Sequence, residues 1–156
     1  MGPEAMRVAG IQQTLAQFGV SVNDLGNLAG PPNPWLPPVD GYRHLPEVQA
    51  WNQAVHDAVY GSLSGGRLPI LLGGDHCLAI GSISAVARHC RDQGLTLRVL
   101  WLDAHADFNT MGTTPTGNTH GIPVALLRGL GTAELTPIAG PTPATDAGSV
   151  RQTGTR

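Results

Sequence analysis

The sequence predicts an α/β protein built on a parallel sheet in three layers. Three observations predict it. Two short runs, Leu68–Leu72 and Leu97–Leu102, are apolar at almost every position, as strands covered on both faces are. Segments with apolar residues at helical spacing alternate with these runs, and strand–helix alternation implies parallel pairing. Polar residues gather just past the carboxyl ends of both runs, the edge at which open α/β sheets bind ligands.

The elements come in this order. Pro3 suits the first turn of a helix, and Met6, Val8, Ile11, Leu15 and Phe18 carry one apolar stripe as far as Gly19. Val20–Val22 is a short strand candidate. Residues 26–46 are rich in proline and read as a long loop. A second helix starts from Pro46, with Val48, Trp51, Val55, Val59 and Leu63 on one stripe and Gly65-Gly66 at its end. After the first apolar run a third helix spans residues 78–92, with Ile80, Ile83, Val86, Ala87 and Cys90 inward. Past the second run come a loop over 106–118 and a helix over 122–130. Residues 131–156 are rich in Gly, Pro and Thr, carry little to bury and read as a poorly ordered tail. Within it, Val150–Thr153 resembles the start of a strand. The expected organisation is a partial domain over 1–130 and then that tail.

Composition narrows the function. The chain has 156 residues, the length of one ordinary domain. Charged residues make up only 13%, about half the usual share. All nine basic residues are arginine, and a net charge of −2 offers no basic face to nucleic acid. No stretch has the length of a membrane span, and no secretory signal opens the sequence. Cys77 and Cys90 make no disulfide framework and read as reduced thiols of a cytoplasmic protein.

The chemistry concentrates at two places. Gly73-Gly74-Asp75-His76 comes after the first apolar run, and Asp103, His105 and Asp107 come after the second. The i, i+2, i+4 spacing of these three puts them on one side of an extended backbone. Two carboxylates and an imidazole so placed suit manganese, zinc or iron(II), and His76 can add a fourth donor. Strand-end caps and turn formers use the same residue types, but each residue taken singly. Gly73-Gly74 fits either a turn or a phosphate cradle, although no lysine comes after it. A Cys77–His76 nucleophilic pair is disfavoured, because strand neighbours point to opposite faces and no second histidine is placed as base. His44, His56 and His89 read as surface or packing residues. In Thr116-Gly117-Asn118-Thr119-His120-Gly121, His120 can shuttle protons and Thr116 and Asn118 can hydrogen-bond a ligand. The same segment also fits a turn leading into a helix capped by Thr119.

These residues resemble a family. Gly73-Gly74-Asp75-His76 with Asp103-Ala104-His105-Ala106-Asp107 resembles the ureohydrolases. Asp107-Phe108-Asn109-Thr110, then Gly117-Asn118-Thr119-His120-Gly121, is most similar to the arginases. The Gly2–Arg7 and Asp24–Asn27 segments are also similar, so the likeness runs from residue 2 to about 130. It implies an arginase-type sheet, here incomplete, lacking the family's first strand and its carboxyl-terminal half. It implies two manganese ions, one held by His76, Asp103 and Asp107, the other by Asp103 and His105, with Asp103 bridging. In the family, hydroxide activated between the ions attacks the guanidinium carbon of arginine, releasing urea and ornithine. Asp107 would orient the hydroxide, and His120 would protonate the leaving amine or relay protons. Asn109, Thr116 and Asn118 would hold the α-amino-acid end of the substrate, with Thr116 keeping a hydroxyl where serine is more usual. The family forms trimers or hexamers. It also has a second Asp-x-Asp strand end that is not found here, so this chain alone is expected to be weak or inactive. The alternatives are another ureohydrolase, an agmatinase or guanidino-acid hydrolase, or a metal-binding fragment without catalysis.

Overall fold

The computed structural model describes residues 1–33, 35–140 and 143–156. Pro34 of the proline-rich loop and Pro141 and Thr142 of the expected tail lie outside the described residues. The order is α1 (Gly2–Val8), α2 (Ile11–Gln17), α3 (Leu45–Ser64), α4 (Ala79–Asp92), β1 (Val99–Leu102), α5 (Pro123–Leu127) and β2 (Val150–Thr153). Short 3₁₀ turns stand at His76–Leu78, Thr119–Gly121 and Thr136–Ala139.

The first expected helix divides in two. Gly10 takes a φ of +81°, which a continuous helix cannot contain, so the chain turns there and restarts. Neither α1 nor α2 has a buried residue. Polar contacts hold α1 instead: Arg7 makes two bonds to Asp24 and one to Asn27, and Asn27 donates to Glu4. Val20–Val22 forms no strand.

The α3 and α4 helices form the packed body. Their expected stripes lie inward, with Val55 and Val59 buried on α3 and Ile80 and Ala87 buried on α4. A Cβ at Gly81 would collide with the Asn52 backbone carbonyl, so glycine lets the helices approach. Asn52 Oδ1 accepts from the Gly81 N–H at 2.7 Å and locks that contact. Tyr42, Leu45, Cys77, Ile80, Ile122 and Leu126 fill the main core together with Leu135 and Ile138. The last two come from the segment expected to bury little.

The sheet is smaller than the sequence suggests. β1 pairs parallel with β2, in register Val99 to Val150 through Leu102 to Thr153. A parallel α/β fold is therefore present in part, and Val150–Thr153 is a strand. Leu68–Leu72 is not: Leu68 is 89% and Ile70 61% exposed. A strand needs a neighbour to take its backbone hydrogen bonds, and no described strand pairs with this run. β1 also departs from the expected burial on both faces. Trp101 is buried, but Leu100 and Leu102 are 68% and 71% exposed, because nothing described covers that side. Among the described residues no helix is long and apolar enough to cross a membrane.

Candidate metal centre

The site forms where the chain leaves the Leu68–Leu72 run and where it leaves β1. Asp75 starts the 3₁₀ turn at His76–Leu78 by accepting from the Cys77 N–H at 2.9 Å. That cap aims the His76 ring at β1, where it stacks on Trp101 with centroids 4.5 Å apart. Its Nδ1 then lies 3.0 Å from Asp103 Oδ2 and 2.8 Å from Asp107 Oδ2. The donor atoms of His76, Asp103 and Asp107 all fall within 4.8 Å of one another.

The three groups differ electrostatically. A hydrogen bond from the His105 N–H at 2.8 Å holds the Asp103 carboxyl below its ordinary range, and His76 and His105 add to this. Asp107 goes the other way. Burial, with only 8% exposed, raises its pKa against the opposing pull of His76, and the Asp103 charge raises it further. Asp107 also sits at φ +47°, a strained backbone state for a residue with a Cβ. Its carbonyl accepts from the Val124 N–H at 3.0 Å, which ties the turn at Asp107 to α5. Two carboxylates converging on one imidazole nitrogen form a set that a divalent cation neutralises, and its mixed N/O donors suit a first-row divalent metal.

The other expected residues take different places. His105 stands outside the three-donor group, with Nδ1 3.3 Å from Asp103 Oδ1, so Asp103 lies between His76 and His105. His120 sits across a cavity of about 240 Å³, its Nδ1 3.6 Å from Asp75 Oδ2. Gly74, Asp75, His76, Asp103, His105, Asp107 and His120 line that cavity. Asn109, Thr116 and Asn118 do not line it. Asn109 is tied to Gly121 through its N–H, and the Thr116 hydroxyl accepts from the Asn118 N–H at 3.2 Å. Gly117, at φ +71°, packs against Gly41, where a Cβ would collide with the carbonyl. Cys77 is buried and its thiol is pushed up to about 12, mainly by burial, which removes it as a nucleophile.

Trp101 and Gln152 were not singled out as site residues in the sequence. Trp101 reads as one more apolar strand position. The side-chain amide of Gln152 donates to the Ala106 carbonyl, a contact between residues 46 positions apart that no local pattern signals.

Fold and site together define an α/β protein with a candidate divalent-metal centre at a strand-end edge. A model of the Arginase family matches residues 1–156, and the chain belongs to that family. It is 38% identical over 156 residues to the arginase of Brevibacillus brevis, covering all of this chain and 51% of that one. It is 44% identical over 130 residues to the arginase of Brucella melitensis, covering 83% and 42% respectively. Among solved structures, native arginase from Bacillus caldovelox superposes with a TM-score of 0.92 at 38% identity, over all of this chain and 52% of that one. The chain thus spans about half the length of the relatives it matches.

Proposed function

We propose that this chain contributes a manganese centre for the hydrolysis of L-arginine to ornithine and urea. The observation that carries the reading is the convergence of His76 Nδ1 with Asp103 and Asp107, with His105 on the far side of Asp103, in a chain of the arginase family. His76, Asp103 and Asp107 would hold one ion and Asp103 and His105 a second, with Asp103 shared. When bound, such ions supply a nucleophilic oxygen from water near neutral pH and offset the charge that develops on the substrate.

The chain's own residues do the rest. Asp107, fixed between His76 and α5, accepts a hydrogen bond from the attacking water and orients it. His120, half-exposed at the cavity rim, can exchange protons with solvent and deliver one to the departing amine as the guanidinium C–N bond breaks. Asn109, Thr116 and Asn118, which lie outside that cavity, would bind the α-carboxylate and α-amino end of a substrate that extends beyond it, as the family resemblance implies. His105 and Asp103 alone make a weak second ion site, so this chain by itself turns over slowly or not at all.

The test separates metal, ligand and turnover. The protein is dialysed against manganese and its metal content measured. Arginine, agmatine and guanidinobutyrate are then titrated by calorimetry, and urea release is monitored for each. Retained manganese and tightest binding of arginine are expected. Tightest binding of agmatine or guanidinobutyrate would move the assignment to another ureohydrolase, and a protein that retains no manganese would remove the reading. Urea release at ordinary arginase rates would overturn the claim of slow turnover.

A further inference from the structure

We infer that Gln152 is a positioning residue for the candidate metal centre, acting through the turn that presents His105 and Asp107. The inference rests on the metal reading of that site. Ala106 lies between the two presented residues, and its carbonyl accepts from the Gln152 side-chain amide.

The sheet geometry explains why this side chain does it. Gln152 stands opposite Trp101 in the β1–β2 register, and partners in a ladder share a face. Trp101 packs beneath the His76 ring. One face of a two-stranded sheet therefore supports both halves of the ligand set, Trp101 under His76 and Gln152 under the Ala106 turn. Backbone pairing continues past the strands: the Asp103 N–H donates to Thr153 O at 3.1 Å, and the Arg156 N–H to Ala104 O at 3.2 Å. Those bonds fix residues 103 and 104. Ala106 lies beyond them, and Gln152 reaches it by side chain alone.

Asp107 needs that hold. Its φ of +47° has a cost, and its buried carboxylate lies 2.8 Å from His76. The Val124 N–H restrains the turn after Asp107, and Gln152 restrains it before. The Gln152 bond is solvent-exposed, so its loss changes overall stability little. A ligand turn that drifts loses its coordination geometry, and outer contacts of this kind typically govern metal affinity by about 10–100-fold.

The experiment uses the full chain and Co²⁺, which reports affinity and ligand geometry through its visible absorption. Gln152→Met removes the donor at similar volume, Gln152→Lys restores a donor, and Arg151→Ala alters the neighbouring position on the opposite face. Gln152→Met is expected to weaken Co²⁺ binding about tenfold and change the absorption envelope, with an unchanged thermal midpoint. Gln152→Lys and Arg151→Ala are expected to stay near wild type. Backbone amide exchange at residues 105–107, measured without metal, is expected to quicken in Gln152→Met alone. Unchanged affinity and exchange in Gln152→Met would overturn the proposal, as would equal losses in Arg151→Ala. If the wild-type protein binds no Co²⁺, the metal reading fails, and the metal-free exchange decides the positioning role by itself.

Discussion

Asp107 meets two unfavourable conditions at once: a buried carboxylate and a left-handed backbone. In the metal-free protein its raised pKa means that the folded state holds a proton more tightly than the unfolded chain does. Its contribution to stability is therefore complete below the ordinary aspartate range and is lost as pH rises through the raised value. Asp103 has the opposite sign: its lowered pKa contributes above the ordinary range and is lost as pH falls through the lowered value. Asp107→Asn removes the buried charge and places at φ +47° a residue that tolerates it. We predict a higher thermal midpoint for metal-free Asp107→Asn at neutral pH, by about 2–4 °C per kcal/mol gained. We predict that the same substitution weakens manganese binding by at least about tenfold, read by titration against the free-ion signal. A lower midpoint with undiminished affinity would sink the account.

The helices rely on different interactions. α3 and α4 meet at Asn52 and Gly81, where an added methyl group has no room. Gly81→Ala should destabilise the protein by about 1–3 kcal/mol in urea denaturation, despite alanine's better helix propensity. α1 buries nothing and depends on the Glu4–Asn27–Arg7–Asp24 network. Glu4 is held down to about 2 by its own backbone N–H, the chain's amino group and Asn27. The part of the network that needs its charge therefore persists above the ordinary glutamate range and is lost as pH falls toward that value. Exposed ion pairs contribute little to global stability. Arg7→Ala should accordingly quicken amide exchange and proteolysis in residues 2–27 and leave the thermal midpoint nearly unchanged. An equal loss of protection in α4 would contradict this division.

At the scale of the whole molecule, the chain presents an apolar surface that its own described residues do not cover. Leu68 and Ile70 lie open on the run that leads to the candidate site, and Leu100 and Leu102 lie open on β1. Apolar strand surface left unpaired and uncovered promotes association. Sedimentation of the purified protein should show mass rising with concentration, and Leu100→Thr with Leu102→Thr should reduce it. Monomeric behaviour at high concentration would show that the face is inert.

Local pattern was enough for much of this. α3 and α4 were legible because amphipathic spacing, Pro46 and the glycines after each helix act over a few residues; the helix expected over 122–130 is only Pro123–Leu127, buried on every side, and its length was not legible. The candidate metal group was legible only as residue types at a suggestive spacing: β1 ends at Leu102 and Asp107 lies at φ +47°, so a turn, and not strand alternation, brings Asp103 and Asp107 to His76. Tertiary structure decided the rest, wherever the answer depended on a distant partner. Leu68–Leu72 has strand composition but no ladder, since a strand is defined by the neighbour that takes its hydrogen bonds. Residues 131–156 look empty of core, yet Leu135, Ile138 and β2 find their places once α4 and β1 are present. Trp101 under His76 and Gln152 under Ala106 were invisible for the same reason: periodicity reports which face a side chain occupies, and only the assembled chain determines what stands opposite that face.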